Sequence, residues 1–388
     1  MHRKTFVILI APLVFPTSLL WAQTPCPTIP VVVNSPEDKL MLEYNGADKP
    51  QDQVAALEKF AQEQADSRYI PCVNEYLTVA YLKLNNLDKA IEAGEKDLAL
   101  NYSDLFLITN LLKAYMAAGK PTEAAFSLIA KAPDLIKAEL TPARPTTASE
   151  DDWKKIQSEA ESNIKDERTF MDYAFFQLLG RVSDAAKRVQ YLDAYSKAYP
   201  ESAISEGVNY QYFVAYQMSG NTEKSDEYGE KAVAADPNNT TALTALAFGY
   251  STRNVHLDKA ETYARKVIDS AASQKKPEGM TDDQFKSAQN GDLGLAHFAL
   301  GVVNFTKASK NRRVGPAIEE FKKALDLLSA NPSLQGGALF YLGNAYEFQY
   351  PPNHRSAADA LERSAAIQGP WQAPAKDLLA KVKRAGGG

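Results

Sequence analysis

The chain has 388 residues, a hydrophobic content of 45% and a formal net charge of −5. This length suffices for one large core or several small ones, and the composition is ordinary for a chain that folds in water. A mildly acidic balance without a basic block argues against nucleic acid and against anionic lipid as main partners.

The N-terminus predicts a secretory signal peptide over residues 1–22. A cationic start at residues 2–4 precedes an uncharged apolar run at residues 6–20, and Ala22 offers a small residue for cleavage. The alternative is a membrane anchor, but the run is short for a span of about 20 residues and contains two prolines. We therefore expect an exported protein of the periplasm or cell envelope. Loss of two cationic residues with the signal takes the net charge from −5 to −7, and no later stretch predicts a transmembrane segment in the mature chain.

Residues 23–36 are expected to form a proline-rich N-terminal tail, which contains Cys26. The chain has two cysteines, and the other is Cys72. In an oxidising compartment Cys26 and Cys72 could form a disulfide that ties the tail to the helical region that follows. The alternative is two free thiols, one in the tail and one packed.

A 34-residue unit recurs along the rest of the chain. Pairs of identical residues stand 34 positions apart: Tyr81 and Tyr115, Ala90 and Ala124, and Tyr216 and Tyr250. Each unit shows apolar or small residues at helical spacing, a turn, and a second such helix. Residues four apart share one helix face, so Leu246 and Tyr250, and likewise Leu342 and Tyr346, point in the same direction from the first helix of a unit. Small residues such as Gly301 and Gly343 predict that the two helices of a unit approach closely.

This pattern resembles the tetratricopeptide (TPR) repeat. The resemblance implies an all-α fold, namely a solenoid of stacked antiparallel helix pairs (the TPR superhelix) with a C-terminal capping helix, because no unit can bury its own faces alone. The implied domains are an N-terminal TPR block at residues 37–138, a loop and connecting helix at 139–168, a C-terminal TPR block at 169–368 with an insertion at 270–292, and the capping helix with a glycine tail at 369–388.

Two interruptions of the pattern have local signals of their own. Prolines and a Ser/Thr cluster at residues 139–150 predict a loop or hinge. Within the insertion, Thr281 stands three residues before Gln284, which is the spacing of a capping box and predicts the start of a helix.

TPR arrays bind peptides or protein surfaces in the concave groove lined by the first helix of each unit. The resemblance therefore implies a partner-binding groove that includes Tyr210, Val214, Gln217, Phe248, Phe298, Phe340, Asn344 and Phe348. This set is rich in aromatic rings and has no charge, which suits an extended or helical apolar segment. The corresponding positions in the N-terminal block include Thr109 and Lys113. The alternative is that several of these rings belong to the core, displaced by one position in the register.

Nothing in the sequence predicts catalysis, a cofactor or a metal site. Outside the signal, the histidines are His256, His297 and His354, and they lack the spacing of metal ligands. No glycine-rich phosphate loop, nucleophile elbow or Cys–His pairing is present. We expect His256 and His354 to be solvated in turns.

Two functions remain open. The first is a non-catalytic protein–protein interaction scaffold of the bacterial cell envelope, which binds a peptide or protein segment in the groove. The alternative is an accessory ligand- or glycan-binding subunit of an envelope enzyme or uptake complex. Stacked tryptophans would favour a glycan, but only Trp153 and Trp371 remain after cleavage, and both lie outside the repeats. This favours a protein partner, and self-association as a homo-oligomer is compatible with either function.

Overall fold

A computed structural model describes residues 32–100, 104–200, 205–276, 279–308 and 312–386. Within these residues the chain forms seventeen α-helices and no β-strand, so the all-α fold expected from the sequence is confirmed. The helices belong to two compact units, and the boundary between the units lies between Val208 and Asn209 in the sequence. Each unit is described separately below.

The first unit consists of helices that contact one another in chain order. Its helices are α1 (Pro36–Asn45), α2 (Pro50–Glu63), α3 (Ile70–Lys83), α4 (Leu87–Ala99), α5 (Leu105–Ala118), α6 (Glu123–Leu140), α7 (Glu150–Leu179) and α8 (Ala185–Ala198). Neighbouring helices from α1 to α7 pack together, and the first helices of the pairs, α3, α5 and α7, also contact one another in sequence. Helix α8 packs against α6 and meets α7 through the stacked rings of Phe175 and Tyr195. Short turns between contacting helices produce antiparallel hairpins, and the first-helix contacts stack these hairpins. The next helix, α9 (Ser205–Ser219), spans the boundary between the units.

The second unit repeats the same arrangement. Its helices are α10 (Thr222–Ala235), α11 (Thr240–Thr252), α12 (Leu257–Ser270), α13 (Asp282–Lys307), α14 (Gly315–Leu327), α15 (Pro332–Phe348), α16 (His354–Ala366) and α17 (Gln372–Ala385). The first helices α11, α13 and α15 contact in order, and α17 packs against both α15 and α16. Helix α17 therefore takes the place of a further first helix, as expected for the capping helix.

Side-chain caps define where most helices begin. The hydroxyl oxygen of a Ser or Thr, the carboxylate oxygen of an Asp or the amide oxygen of an Asn accepts a hydrogen bond from one of the backbone N–H groups that the first turn leaves unpaired. The expected capping box of the insertion is confirmed: the Gln284 N–H donates to Thr281 Oγ1 at 3.2 Å, and the Thr281 N–H donates to Gln284 Oε1 at 3.0 Å.

Glycines bring the two helices of a pair into close contact. A Cβ atom added at Gly301 would lie 2.6 Å from the ring of Phe321, and one added at Gly343 would lie 2.6 Å from Cγ of Leu361. Both distances are shorter than van der Waals contact, so the partner helix occupies the space that a side chain would need. The close approach that the small residues predict is thus observed.

A recurring hydrogen bond that the periodicity did not reveal links one helix pair to the next. The hydroxyl of Tyr115 on α5 donates to Glu95 Oε1 on α4 at 2.6 Å, and that of Tyr250 on α11 donates to Glu230 Oε1 on α10 at 2.8 Å. The tyrosine follows its glutamate by 20 residues in both cases. The repeated tyrosine therefore fills the space between helices and also satisfies its polar end.

Two helices are longer than the repeat pattern implies. Helix α7 runs without a break through residue 169, where the sequence placed the start of the C-terminal block, so the connecting helix and the next repeat helix are one. Helix α13 likewise joins the helix of the insertion to the first helix of the following pair. It contains Gly294, where an added Cβ would lie 2.6 Å from Cγ of Leu328. This glycine allows close packing and does not end the helix.

Candidate partner-binding surfaces

The eight predicted groove residues all lie on first helices and in residues 209–388. Helix α9 contains Tyr210, Val214 and Gln217, α11 contains Phe248, α13 contains Phe298, and α15 contains Phe340, Asn344 and Phe348. Because α11, α13 and α15 pack side by side, positions that share a face of these helices come together. The degree of exposure then decides which of these side chains can reach a partner.

The prediction that Phe298 lines the groove is wrong. The side chain of Phe298 is completely buried, with its ring centroid 5.4 Å from Phe248, 6.1 Å from Phe321 and 5.6 Å from Tyr341. The physical reason is Gly337 on α15, where an added Cβ would lie 3.1 Å from the Phe298 ring. This glycine lets α15 close over the ring, so Phe298 is a core residue, which is the alternative that the sequence left open.

Phe340 is half-buried and is covered on one side by Trp371. The two rings stack with centroids 5.3 Å apart, and the Trp371 ring also meets Tyr341 edge-on at 5.4 Å. In the sequence Trp371 lies outside the repeats, and it is not among the residues predicted to line the groove. Trp371 stands directly before the capping helix, and that helix packs where a further first helix would lie. This position in the sequence could have indicated that Trp371 extends the surface formed by the first helices.

We use the term aromatic row for Phe248, Phe298, Tyr341, Phe340 and Trp371. Each ring of this row contacts the next, and the row crosses α11, α13 and α15 to the start of α17. Its centre is buried at Phe298, whereas the other four rings keep part of their surface exposed. Aromatic faces and edges at such a surface contribute apolar contact area with little loss of side-chain entropy.

Phe348 lies further along α15 than Phe340 and has its own partners. Its ring packs edge-on against Phe305 at 5.6 Å, and the guanidinium carbon of Arg312 lies 5.2 Å from its centroid. Phe348 remains half-buried, as does Asn344 one turn earlier. The residues predicted to line the groove carry no charge, so the sequence did not predict the Arg312 cation beside Phe348.

The three predicted residues on α9 differ in exposure. Tyr210 and Val214 are half-buried and pack against the hydrophobic cluster that contains Phe213 and Leu246. Gln217 is exposed, and it lines a shallow depression of about 270 Å³ together with Gly249 and Arg253. Its position is therefore suited to a polar contact at the edge of a docked segment.

The first unit presents a different chemistry at the equivalent positions. The hydroxyl of Thr109 on α5 donates to Glu167 Oε2 on α7 at 3.4 Å. Nζ of Lys113 lies 5.7 Å from the ring centroid of Phe170. Lys113 keeps exposed surface, but partial desolvation by the surrounding helices lowers the pKa of its ammonium group, and the nearby Glu167 carboxylate opposes that shift. At these two positions the first unit therefore presents a hydroxyl group and an ammonium group, in contrast to the aromatic row.

The histidines are not all solvated. His256 is exposed at the start of α12, as expected, whereas Nδ1 of His354 lies 2.7 Å from Glu347 Oε2 on the preceding helix. The expectation of a solvated turn residue is thus wrong for His354, because α15 ends with a carboxylate in reach. His297 forms a similar contact, with Nδ1 2.6 Å from Glu320 Oε2. Both contacts join neighbouring helices.

The predicted disulfide involves one residue that the structure describes. Cys72 is buried at the start of α3, and Cys26 lies outside the described residues. The Cys26–Cys72 bond therefore stays a prediction, as do the signal peptide and the proline-rich tail up to residue 31. Quantifying reactive thiols in the denatured chain, with and without prior reduction, tests the bond.

The described residues also bear on two other kinds of site. In that part of the chain, no three His, Cys, Asp or Glu side chains are grouped as a metal site requires. Nor does any helix there have the length and apolarity needed to cross a bilayer.

Several solved structures are similar to the chain, all at low sequence identity. The C-terminal part of a TPR repeat-containing protein from Cytophaga hutchinsonii is 16% identical, with a TM-score of 0.39, over 77% of this chain and 97% of that one. The TPR domain of P58(IPK) is 14% identical, with a TM-score of 0.27, over 90% of this chain and 98% of that one. Yeast Tom70 is 15% identical, with a TM-score of 0.28, over 90% and 88% of the two chains. No family model and no curated protein matches the chain.

Proposed function

We propose that this chain is a non-catalytic protein–protein interaction scaffold of the bacterial cell envelope. It holds an apolar peptide or protein segment along the first helices of the second unit. The observation that carries the proposal is the aromatic row, four rings of which combine partial exposure with fixed positions on packed helices. Rings held in this way need little further ordering when a segment binds. The envelope location is supported by the signal-like sequence of residues 1–22.

The residues around the row define how the segment is held. Further half-buried apolar surface on first helices comes from Tyr210 and Val214 on α9 and from Phe348 on α15. Asn344 and Gln217 supply amide groups that can bond to the backbone of an extended segment. The resulting surface is apolar with polar groups at its edge, which is the usual anatomy of a protein-binding patch.

The experiment is cross-linking in the native envelope, followed by identification of the proteins captured by the mature chain and by the variant Tyr210→Ala/Phe248→Ala/Phe348→Ala. We expect the native chain to capture one dominant protein that the variant loses. The matched control is Met218→Ala/Val255→Ala/Tyr350→Ala, which removes three exposed apolar side chains of the same unit. Equal capture by all three chains would contradict the proposal.

Because Phe248 and Phe348 also pack on the core, a second variant separates binding from folding. Phe248→Leu/Phe348→Leu keeps apolar volume in place and removes the aromatic rings. Circular dichroism checks the helix content of every variant. Loss of capture by a variant that stays folded locates the groove.

The alternative, an accessory ligand- or glycan-binding subunit, gains one specific observation. Trp371 lies against Phe340 and Tyr341 and is part of the same surface as the repeats. Trp371→Phe keeps a ring at this position. If a glycan copurifies with the native chain and is lost in Trp371→Phe, while no protein is captured, the alternative replaces the scaffold.

A further inference from the structure

A depression between α9, α10 and α11 has a lining that the proposed function uses only at Gln217. We call it the α9–α11 pocket. Its volume is about 270 Å³, and its lining includes Phe213, Tyr216, Gln217, Leu246, Gly249 and Arg253. Pockets that hold a whole drug-sized ligand have about 300 to 1,000 Å³. The α9–α11 pocket therefore has room for a single side chain of a bound segment.

The buried part of the lining is apolar. Phe213 on α9 and Leu246 on α11 are almost fully buried and belong to one hydrophobic cluster. Tyr216 on α9 is half-buried, and its ring stacks on that of Tyr228 on α10 with centroids 5.5 Å apart. These contacts hold the rings in place, so little further ordering is needed when a side chain enters.

The polar part of the lining includes an ion pair whose two members satisfy each other. Nη1 and Nη2 of Arg253 donate to Oδ2 and Oδ1 of Asp226 at 3.0 and 2.9 Å, and both residues line the pocket. The two parallel bonds fix the plane of the guanidinium and neutralise both charges. A charged side chain that enters the pocket has to compete with this pair, whereas an aromatic ring lies against a guanidinium without breaking it.

The Arg253 guanidinium already contacts one ring from outside the pocket. Its carbon lies 5.6 Å from the ring centroid of Tyr250, which is not a lining residue. Tyr250 therefore does not cover the part of Arg253 that lines the pocket. That part of the guanidinium is available to a second ring.

Gly249 keeps the pocket open. A Cβ atom added there would lie 3.3 Å from Nη2 and 4.0 Å from Nε of Arg253, and no other atom of the described residues comes within 4 Å. The space beside this backbone is therefore the pocket itself, bounded by the end of one flexible side chain. A larger side chain at position 249 points into this space and fills it.

The chemistry of the lining selects the class of side chain. Contact with Phe213 and Leu246 favours any apolar group. An aromatic group gains, in addition, ring contact with Tyr216 and with the Arg253 guanidinium. The exposed amide of Gln217 can bond to the backbone that carries the entering side chain.

The pocket is continuous with the surface proposed for partner binding. Tyr210 and Val214 pack against the cluster that contains Phe213 and Leu246. Gln217 is both a predicted groove residue and a lining residue of the pocket. A segment that follows α9 past Tyr210 and Val214 therefore reaches the pocket.

We propose that the α9–α11 pocket is an anchor site that takes one aromatic side chain of the segment bound by the second unit. Phe213 and Leu246 form its apolar base, Tyr216 and Arg253 contact the ring, and the glycine at position 249 leaves the space for it. The proposal rests on the scaffold function, because the side chain belongs to a bound protein segment. It adds a requirement for an aromatic residue in that segment.

The first test uses the mature chain with labelled methyl groups and N-acetyl-tryptophanamide as the probe. Nuclear magnetic resonance follows the methyl signals of Ala245 and Leu246, which both line the pocket, and N-acetyl-leucinamide is the comparison. We expect saturable ring-current shifts with the tryptophan amide and about tenfold weaker binding of the leucine amide. No shift with the tryptophan amide, or equal affinity for the two amides, overturns the proposal.

Two variants test the pocket in the same titration. Gly249→Leu fills the space, and we expect it to weaken tryptophan-amide binding about tenfold. The matched control is Gly291→Leu on α13, where an added Cβ would have no atom within 4 Å, and it binds as the native chain does. Equal binding by Gly249→Leu and Gly291→Leu overturns the proposal.

The second variant covers the case in which circular dichroism shows that Gly249→Leu has lost helix content. Arg253→Lys keeps a cation beside Asp226 and removes the planar guanidinium. We expect it to weaken tryptophan-amide binding about threefold and to leave leucine-amide binding unchanged. Unchanged binding of both amides overturns the aromatic preference.

Cross-linking in the native envelope separates this proposal from the scaffold function. We expect Gly249→Leu to lose the dominant protein and Gly291→Leu to keep it. Capture of the same protein by the native chain and by folded Gly249→Leu overturns the anchor site and leaves the scaffold function intact. If the native chain captures no protein, the scaffold function fails, and with it the role of the pocket as an anchor, whatever the amide titration shows.

Discussion

Two glycines of α13 have opposite roles although they lie only ten positions apart. A Cβ at Gly301 would lie 2.6 Å from the Phe321 ring, whereas one at Gly291 would have no atom within 4 Å. We expect Gly301→Ala to lower the free energy of unfolding by about 1 to 3 kcal/mol because the helices must separate. Gly291→Ala raises it by about 0.5 to 1 kcal/mol through helix propensity. Urea unfolding followed by Trp371 fluorescence measures both, and equal effects of the two changes would contradict the packing argument.

Asp97 ties the stability of the first unit to pH. Its folded pKa of about 8 lies above the ordinary value of 3.8, so its contribution to stability is present below about pH 4 and is lost as pH rises towards 8. We expect Asp97→Asn to remove this dependence and to be more stable than the native chain at pH 8. The difference between the two chains changes by at most about 1.4 kcal/mol per pH unit, the value for one proton. Urea titrations at several pH values followed by Trp153 fluorescence measure this difference, with Glu161→Gln as control. A difference that does not vary with pH contradicts the expectation.

At the scale of the element, α17 covers the last helix pair. Its residues Ala375 and Val382 are buried, in one cluster with Ala357 and Leu361 of α16. We expect removal of residues 370–388 to lower the free energy of unfolding of the second unit by about 3 kcal/mol, the scale of burying one or two aliphatic side chains. Thermal unfolding followed by circular dichroism, together with binding of an apolar dye, measures the effect. Removal of residues 386–388 alone is the control, and similar stability of both truncated chains would show that α17 is not a cap.

At the scale of the whole molecule, the two units differ in net charge and in the tryptophan that reports on each. In the mature chain Trp153 lies on α7 in the first unit and Trp371 lies just before α17 in the second. We expect salt to stabilise the first unit more, because residues 32–208 contain 29 aspartates and glutamates against 20 lysines and arginines, a formal charge of −9, and screening relieves the resulting repulsion. Trp371→Phe leaves Trp153 to report on the first unit, and Trp153→Phe leaves Trp371 to report on the second. Thermal unfolding of each variant is followed by tryptophan fluorescence at low salt and at about 0.5 M salt. A larger increase in melting temperature for the second unit contradicts this expectation.

The aromatic row shows how far the candidate site could be predicted. Repeat register placed Phe248 and Phe340 on first helices, and both keep exposed surface. The same register could not separate Phe298 from them, because burial of that ring depends on Gly337 of the next first helix, 39 positions further along the chain. Trp371 was missed for a related reason, since it contributes from outside the repeat through the packing of α17.

What the sequence determined by itself is the local pattern: helices at a 34-residue period, their caps, and the small residues where two helices of a pair meet. These features depend on interactions between residues close in the chain, which is why the Thr281–Gln284 capping box and the contacts of Gly301 could be read in advance. The tertiary structure decided the continuity of α7 and α13, the burial of Phe298 and Asp97, and the pairing of His354 with Glu347. Each of these depends on which side chain of a neighbouring helix fills the adjacent space, and burial and electrostatic coupling follow from that neighbour and not from the repeat period.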